Sequence, residues 1–178
     1  MIHCNQVLFL CTGNYYRSRF AEILFNQLPS QASIPWMADS RALNITAGRN
    51  VGPISPYAIE GLRARGILLP PVVRFPKQVS QEDLRSSARI IAMNEQEHRP
   101  LIESTFPQWT QHVEYWHVHD LDLSSAEEAL AEIERCVRDL AVSLHQATTP
   151  AGGSNRSGPS YCPGKATIFL HGPREQIS

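Results

Sequence analysis

The chain has 178 residues, of which 42% are hydrophobic and 19% are charged, and its formal net charge is −1. This length and composition suit one globular domain with a buried core, and they exclude a wholly disordered or collagen-like protein. Because 16 basic residues are balanced by 17 acidic ones, we expect no binding to nucleic acid. The apolar run over residues 7–10 is too short to span a bilayer and follows no secretory signal, so we expect a cytoplasmic protein without a membrane partner.

The C-terminal part differs in composition from the rest of the chain. Residues 147–178 hold half of the chain's ten glycines, together with several prolines and serines. Such a segment has too little apolar surface to offset the entropy lost on ordering it. We therefore predict a folded domain over residues 1–146 and a disordered, Gly/Pro/Ser-rich tail over residues 147–178.

Short apolar segments within the predicted domain indicate buried strands. They are residues 6–11, 44–47, 88–93 and 112–118. Helical patterns separate them, and this alternation predicts a parallel sheet covered by helices on both faces. Ligands of such sheets bind at the carboxyl ends of the strands, so the chemistry is expected there.

Helix signals are strongest at three places. One helix is expected to begin near Arg17, and another lies between Ser55, a suitable N-cap, and Gly66, a suitable stop. The last helix is predicted from a capping-box pattern of Ser124 and Glu127. A helix after residue 94 is expected to be interrupted at Pro100.

The segment Cys-Thr-Gly-Asn-Tyr-Tyr-Arg-Ser follows the first predicted strand, at residues 11–18. Gly13 and Asn14 tolerate unusual backbone angles, so the loop can curl until its amide N–H groups point at one bound oxyanion. Arg17 can grip two phosphate oxygens with its planar guanidinium. The same positive field favours the thiolate of Cys11, and the hydroxyl of Ser18 can donate a hydrogen bond to it.

These residues resemble the signature of the low-molecular-weight protein-tyrosine phosphatases. The likeness covers about residues 5–145 and rests on Val-Leu-Phe-Leu-Cys-Thr-Gly-Asn-Tyr-Tyr-Arg-Ser at 7–18, Ala-Glu at 21–22, Thr-Ala-Gly at 46–48, Gly-Leu at 61–62, Gly-Ile at 66–67 and Ala-Met-Asn-Glu at 92–95. It implies a three-layer α/β fold, with a four-stranded parallel sheet flanked by helices on both faces. It also implies hydrolysis in two steps through a phosphocysteine, without metal or cofactor.

The resemblance assigns roles to individual residues. Cys11 is the expected nucleophile, and the phosphate-binding loop comprises Thr12, Gly13, Asn14, Tyr15, Tyr16, Arg17 and Ser18. Asp120 is the expected general acid, with Asp122 as the alternative, although Leu121 stands where the family has proline. Thr46 is expected to support the loop by hydrogen bonding, and Arg74 stands where many relatives have histidine.

Two loop residues depart from the family pattern. Tyr16 takes the place of a second cysteine, so a protective disulfide within the loop is not expected and Cys11 is more open to overoxidation. Tyr15 stands where relatives vary the residue that separates aryl from guanidino phosphates. The preferred function is therefore a protein-tyrosine phosphatase acting on a phosphorylated protein or a small phosphomonoester, and the oligomeric state stays open.

Three alternatives compete with this interpretation. A non-catalytic module that binds phosphorylated partners is suggested by the altered acid loop. A thiol-dependent arsenate reductase would use the same loop, but residues 81–116 hold none of the relay cysteines that such enzymes need. His112, His117 and His119 lie close together, but no carboxylate or cysteine spacing completes a metal site with them.

Overall fold

Four parallel strands form the central sheet of the protein, for which a computed structural model describes residues 4–28, 35–47, 50–120 and 125–148. The strands are β1 (Asn5–Cys11), β2 (Trp36–Ala42), β3 (Arg89–Ala92) and β4 (Glu114–Tyr115). Their order is β2-β1-β3-β4, so β1 pairs with a neighbour on either side. The predicted parallel sheet is confirmed.

Helices connect these strands and cover the sheet. They are α1 (Arg17–Gln27), α2 (Pro56–Ala64), α3 (Gln81–Ser86), α4 (Glu95–Thr105) and α5 (Ala126–Thr148), with a 3₁₀ helix over Pro107–His112. No helix among the described residues is long and apolar enough to cross a membrane.

The two faces of β1 build two separate hydrophobic clusters. Val7, Phe9 and Cys11 pack with α1, α2 and α5 on one face of the sheet. Leu8 and Leu10 pack on the other face, where α3 and α4 contribute buried side chains. Because successive side chains of a strand point to opposite faces, the continuous apolar run of β1 is the pattern of a strand buried on both sides. The three-layer α/β architecture is thereby confirmed.

Two strand predictions need correction. Residues 44–47 form a turn, and the second strand precedes them as β2. This strand lies at a sheet edge and alternates between buried and more exposed residues, so a search for continuous apolar runs missed it. The strand predicted over 112–118 contains only the two residues of β4, because the 3₁₀ helix extends to His112.

Helix ends agree with the sequence more closely than strand ends do. Ser55 caps α2, accepting a hydrogen bond from the N–H of Tyr57 at 3.2 Å. The capping box of α5 is formed by Ser125 and Glu128, one residue later than predicted. Pro100 lies inside α4 without ending it, so the expected interruption of this helix is wrong.

The predicted boundary between domain and tail falls near the end of α5. This helix continues to Thr148, two residues past residue 146. The division of the chain into domain and tail stays a prediction. Ser124 and the tail from residue 149 onward lie outside the described residues, and the predicted disorder of the tail stays a prediction.

Packing of α5 against the sheet gives a stability prediction. Ile133 is completely buried, so Ile133→Ala removes side-chain volume from a tightly packed site and is expected to cost about 2–5 kcal/mol of unfolding free energy. Val142 on the same helix is 49% exposed, so Val142→Ala is the matched control and is expected to stay within about 0.5 kcal/mol. Urea denaturation followed by circular dichroism measures both. Equal effects of the two substitutions would contradict the packing described for α5.

Candidate active site

The loop at residues 12–16 links the end of β1 to the start of α1. Its backbone carbonyls and its backbone amides differ in their hydrogen bonding. The carbonyls of Cys11, Thr12 and Tyr15 each accept a hydrogen bond at 2.9 Å from backbone N–H groups of residues 43, 44 and 55. The amide N–H groups of residues 12–16, by contrast, have no acceptor among the described residues. Carbonyls turned outward and unpaired amides at the start of a helix are the arrangement of an anion-binding site.

Asn14 fixes the turn of this loop. It is buried and takes a left-handed backbone conformation, with φ of 50°. Its Nδ2 donates to Ser18 Oγ at 3.1 Å and to Ser40 Oγ at 2.7 Å. Its Oδ1 accepts from Arg74 Nη1 and from the N–H of Lys77, both at 3.0 Å. The side chain is therefore held from every direction, which stabilises a backbone conformation that few residues other than glycine adopt.

The residues that support Asn14 differ in part from those predicted. Thr46 does not reach the loop, because its exposed hydroxyl donates to Asn44 Oδ1 at 2.9 Å. Ser40 on β2 takes the supporting role, and Arg74, at the position where many relatives have histidine, also bonds Asn14. The sequence held one signal for Ser40, a polar residue on a strand, but that strand itself was not predicted.

A set of charged residues surrounds Ser40. Arg74 Nη2 contacts Glu22 Oε2 and Asp39 Oδ1, both at 2.9 Å, and Ser40 Oγ donates to Glu22 Oε2 at 2.5 Å. Burial acts against the ionised carboxyl of Asp39, but hydrogen bonds from Arg41 and Ser40 hold its pKa below the usual value. These half-buried ion pairs fix the position of Ser40, which bonds Asn14 of the loop.

Cys11 and Ser18 lie together at the base of the loop. Both are buried, and Cys11 Sγ is 3.0 Å from Ser18 Oγ. Either group can donate in this pair, and when Cys11 is ionised the donor is the Ser18 hydroxyl. A hydroxyl donor stabilises a thiolate both as an attacking group and as a leaving group.

The guanidinium of Arg17 is 2% exposed and surrounded by acceptors. Its Nη1 and Nη2 donate to the two oxygens of Glu97 at 2.7 Å each. Nη1 also donates to the carbonyl of Val118 at 3.2 Å, and Nη2 to Asp120 Oδ2 at 2.7 Å. Burial opposes the charge, but the hydrogen bonds to Glu97 and the neighbouring Cys11 raise the pKa of Arg17.

Glu97 is a site residue that sequence reasoning missed. It accepts hydrogen bonds from Arg17, from Thr12 Oγ1 and, at 3.2 Å, from His98 Nε2. His98 Nδ1 accepts from the N–H of Asn94 at 2.9 Å, so Nε2 carries the ring hydrogen. Burial alone would raise the pKa of Glu97, but the hydrogen bonds from His98 and Arg17 hold it far below its usual value. An acidic residue in the first turn of a helix is common, so its position gave no signal.

The two loop tyrosines are both anchored. Tyr16 is buried and donates from its hydroxyl to the carbonyl of Ala126 at 3.1 Å, which ties the loop to the start of α5. Burial, together with the nearby Asp120, raises the pKa of Tyr16 to about 12, so this phenol stays protonated and remains a donor. Tyr15 is half-buried, and its hydroxyl donates to the carbonyl of Val51 at 2.7 Å.

The predicted acid, Asp120, lies next to the loop through its contact with Arg17. Its side chain is 44% exposed, which leaves it within reach of solvent. Leu121 and the alternative acid, Asp122, lie outside the described residues. His117 and His119 are exposed, and the described residues contain no group of three or more side chains suited to a metal ion.

Comparison with known proteins identifies a matching family and several relatives. A family model described as low molecular weight phosphotyrosine protein phosphatase matches residues 6–149. The protein-arginine-phosphatase of Bacillus subtilis (strain 168) is 30% identical over 107 residues, which cover 60% of this chain and 67% of that protein. The low molecular weight phosphotyrosine protein phosphatase of Homo sapiens is 33% identical over 98 residues, which cover 53% of this chain and 58% of that protein.

Solved structures show the same architecture. YfkJ from Bacillus subtilis is 26% identical and superposes with a TM-score of 0.68, over 82% of this chain and 97% of that one. A YwlE mutant from the same organism is also 26% identical, with a TM-score of 0.65 over 79% of this chain and 98% of that one. The chain therefore belongs to the low molecular weight phosphotyrosine protein phosphatase family, a family of cysteine-dependent phosphatases.

Proposed function

We propose that this protein hydrolyses phosphomonoesters, with phosphotyrosine in proteins as its substrate, through a phosphocysteine intermediate. The observation that carries the proposal is the loop at residues 12–16, between Cys11 and Arg17, whose amides have no acceptor in the part of the chain that the structure describes. A phosphate dianion bound there receives hydrogen bonds from the backbone and from the guanidinium. A free thiol is required, which favours a reducing compartment such as the cytoplasm.

In the first step, Cys11 Sγ attacks phosphorus and the bond from phosphorus to the leaving oxygen breaks. Asp120 donates a proton to that oxygen, because a protonated phenol leaves far more readily than a phenoxide. The loop amides and Arg17 stabilise the charge that spreads over the phosphoryl oxygens in the transition state.

In the second step, the Asp120 carboxylate accepts a proton from a water molecule whose oxygen attacks phosphorus. The bond between phosphorus and sulfur breaks, and inorganic phosphate leaves. The Ser18 hydroxyl, 3.0 Å from Cys11 Sγ, stabilises the departing thiolate.

A second candidate substrate is phosphoarginine. The similarity to the protein-arginine-phosphatase of Bacillus subtilis favours it. The tyrosine at position 15 favours phosphotyrosine instead, since its half-buried ring offers a flat surface beside the loop on which an aryl group can stack. Parallel assays with matched phosphotyrosine and phosphoarginine peptides decide between the two, and a higher kcat/KM for phosphoarginine would overturn our choice of substrate.

The role of Cys11 gives a direct prediction. Cys11→Ser is expected to abolish hydrolysis of p-nitrophenyl phosphate, since a serine hydroxyl is not ionised at neutral pH. Cys4→Ser is the matched control, because Cys4 is an exposed free thiol, and it is expected to keep full activity. Steady-state kinetics and circular dichroism on both variants test this. Turnover that survives Cys11→Ser would contradict the phosphocysteine mechanism, whereas phosphopeptide binding without turnover in the wild type would indicate a non-catalytic module.

The role of Asp120 predicts a change in pH dependence. An acid that must be protonated makes kcat fall as pH rises, so the wild type should show a basic limb for a phosphotyrosine peptide. Asp120→Asn carries no titrating proton, so its kcat should fall by about 10²–10⁴ and its profile should lose that limb. Asp122→Asn serves as the comparison. If the limb disappears in Asp122→Asn and persists in Asp120→Asn, Asp122 is the acid.

A further inference from the structure

The terminal nitrogens of Arg17 are fully engaged by protein acceptors. Glu97 takes one hydrogen from Nη1 and one from Nη2, Val118 takes the other hydrogen of Nη1, and Asp120 takes the other hydrogen of Nη2. A phosphate that binds bidentately must therefore gain at least one of these donors from a residue that now holds it.

The planar shape of the guanidinium decides which donor is exchanged. The two hydrogens that face Glu97 lie on the edge between Nη1 and Nη2. The Nη2 hydrogen held by Asp120 lies on the other edge, beside Nε–H. These two parallel donors form the second fork of the guanidinium, and they match two oxygens of a phosphate.

We propose that Glu97 is a positioning residue that holds Arg17 by one edge, while Asp120 occupies the opposite edge until substrate phosphate displaces it. This inference rests on the proposed function and adds a residue and an exchange step to it. Glu97 acts through Arg17 and does not touch the reacting atoms.

The surroundings of the two carboxylates explain why phosphate displaces Asp120, and not Glu97, from Arg17. Glu97 accepts from Thr12 and His98 as well as from both terminal nitrogens of Arg17, so its release would break several hydrogen bonds together. Asp120 bonds Arg17 through one oxygen, whereas Glu97 bonds it through two, and the Asp120 side chain is 44% exposed against 33% for Glu97, so water can replace the Asp120 contact more readily. Exchange at Asp120 is therefore the less costly of the two.

Displacement also leaves Oδ2 of Asp120 available to the leaving oxygen of the substrate, which is the atom that receives the proton in the first step.

The first experiment distinguishes a loss of Arg17 positioning, which lowers kcat, from a loss of anion binding, which raises the Ki of inorganic phosphate. Glu97→Gln removes the carboxylate that holds both terminal nitrogens of Arg17, so kcat for a phosphotyrosine peptide is expected to fall by about tenfold to a hundredfold. The Ki of inorganic phosphate should change by less than about threefold, because the loop amides are intact and one negative charge is removed. Glu95→Gln is the matched control, since Glu95 lies on the same helix turn but pairs with Arg99, and its kcat should stay at the wild-type value.

Two results of this experiment would overturn the proposal. One is an unchanged kcat in Glu97→Gln. The other is a rise in Ki that matches the fall in kcat, because that is the signature of a generally damaged site. Circular dichroism and thermal melting show whether the variant is folded.

A second experiment tests the exchange without altering Glu97. If Asp120 competes with phosphate for Arg17, Asp120→Asn should bind inorganic phosphate about threefold to tenfold more tightly than the wild type, as measured by calorimetry. Equal or weaker binding contradicts the exchange. This titration needs no turnover, so it stays decisive if Glu97→Gln fails to fold, and its outcome is separate from a failure of the proposed phosphatase activity.

Discussion

The left-handed turn at Asn14 is the constraint on which the site depends. A backbone φ of 50° is unfavourable for most residues, and it persists here because the buried amide side chain bonds Ser18, Ser40, Arg74 and the backbone of Lys77. With the turn fixed, the carbonyls of Thr12 and Tyr15 bond neighbouring segments, and the amides of residues 12–16 are left without an acceptor among the described residues. The cradle is therefore formed before any ligand arrives, and little ordering entropy remains to be lost on binding.

Charge balance is the second constraint on the site. A guanidinium that is 2% exposed is costly without a partner, and Glu97 supplies a permanent one on the edge away from Asp120. The same pairing limits how much positive charge Arg17 presents to an anion, so the backbone amides must carry a large share of phosphate binding. Arg17 serves in this way to orient the phosphate as much as to attract it.

The parts that could be predicted from sequence are those decided by neighbouring residues. The run at residues 7–10 and the loop at 11–18 lie within one short segment, so strand β1 and the cluster of Cys11, Arg17 and Ser18 followed from local pattern. Ser40 and Glu97 contact the loop from 26 and 80 residues away along the chain, and no periodicity reveals such a contact. The edge strand β2 was missed, and the short strand β4 was predicted too long, for a related reason. Both strands are defined by pairing in the sheet more than by apolar content.

The central step of the proposed mechanism is the attack of the Cys11 sulfur on a phosphate bound in the cradle. Rapid acid quenching during turnover of a phosphotyrosine peptide, followed by peptide mass spectrometry, tests it most directly. We predict that one phosphoryl group is found on the peptide that contains Cys11, and that it accumulates when Asp120 is replaced by asparagine, since that residue also activates water in the second step. Turnover with no phosphoryl group on Cys11, or with the group on another residue, would contradict the account.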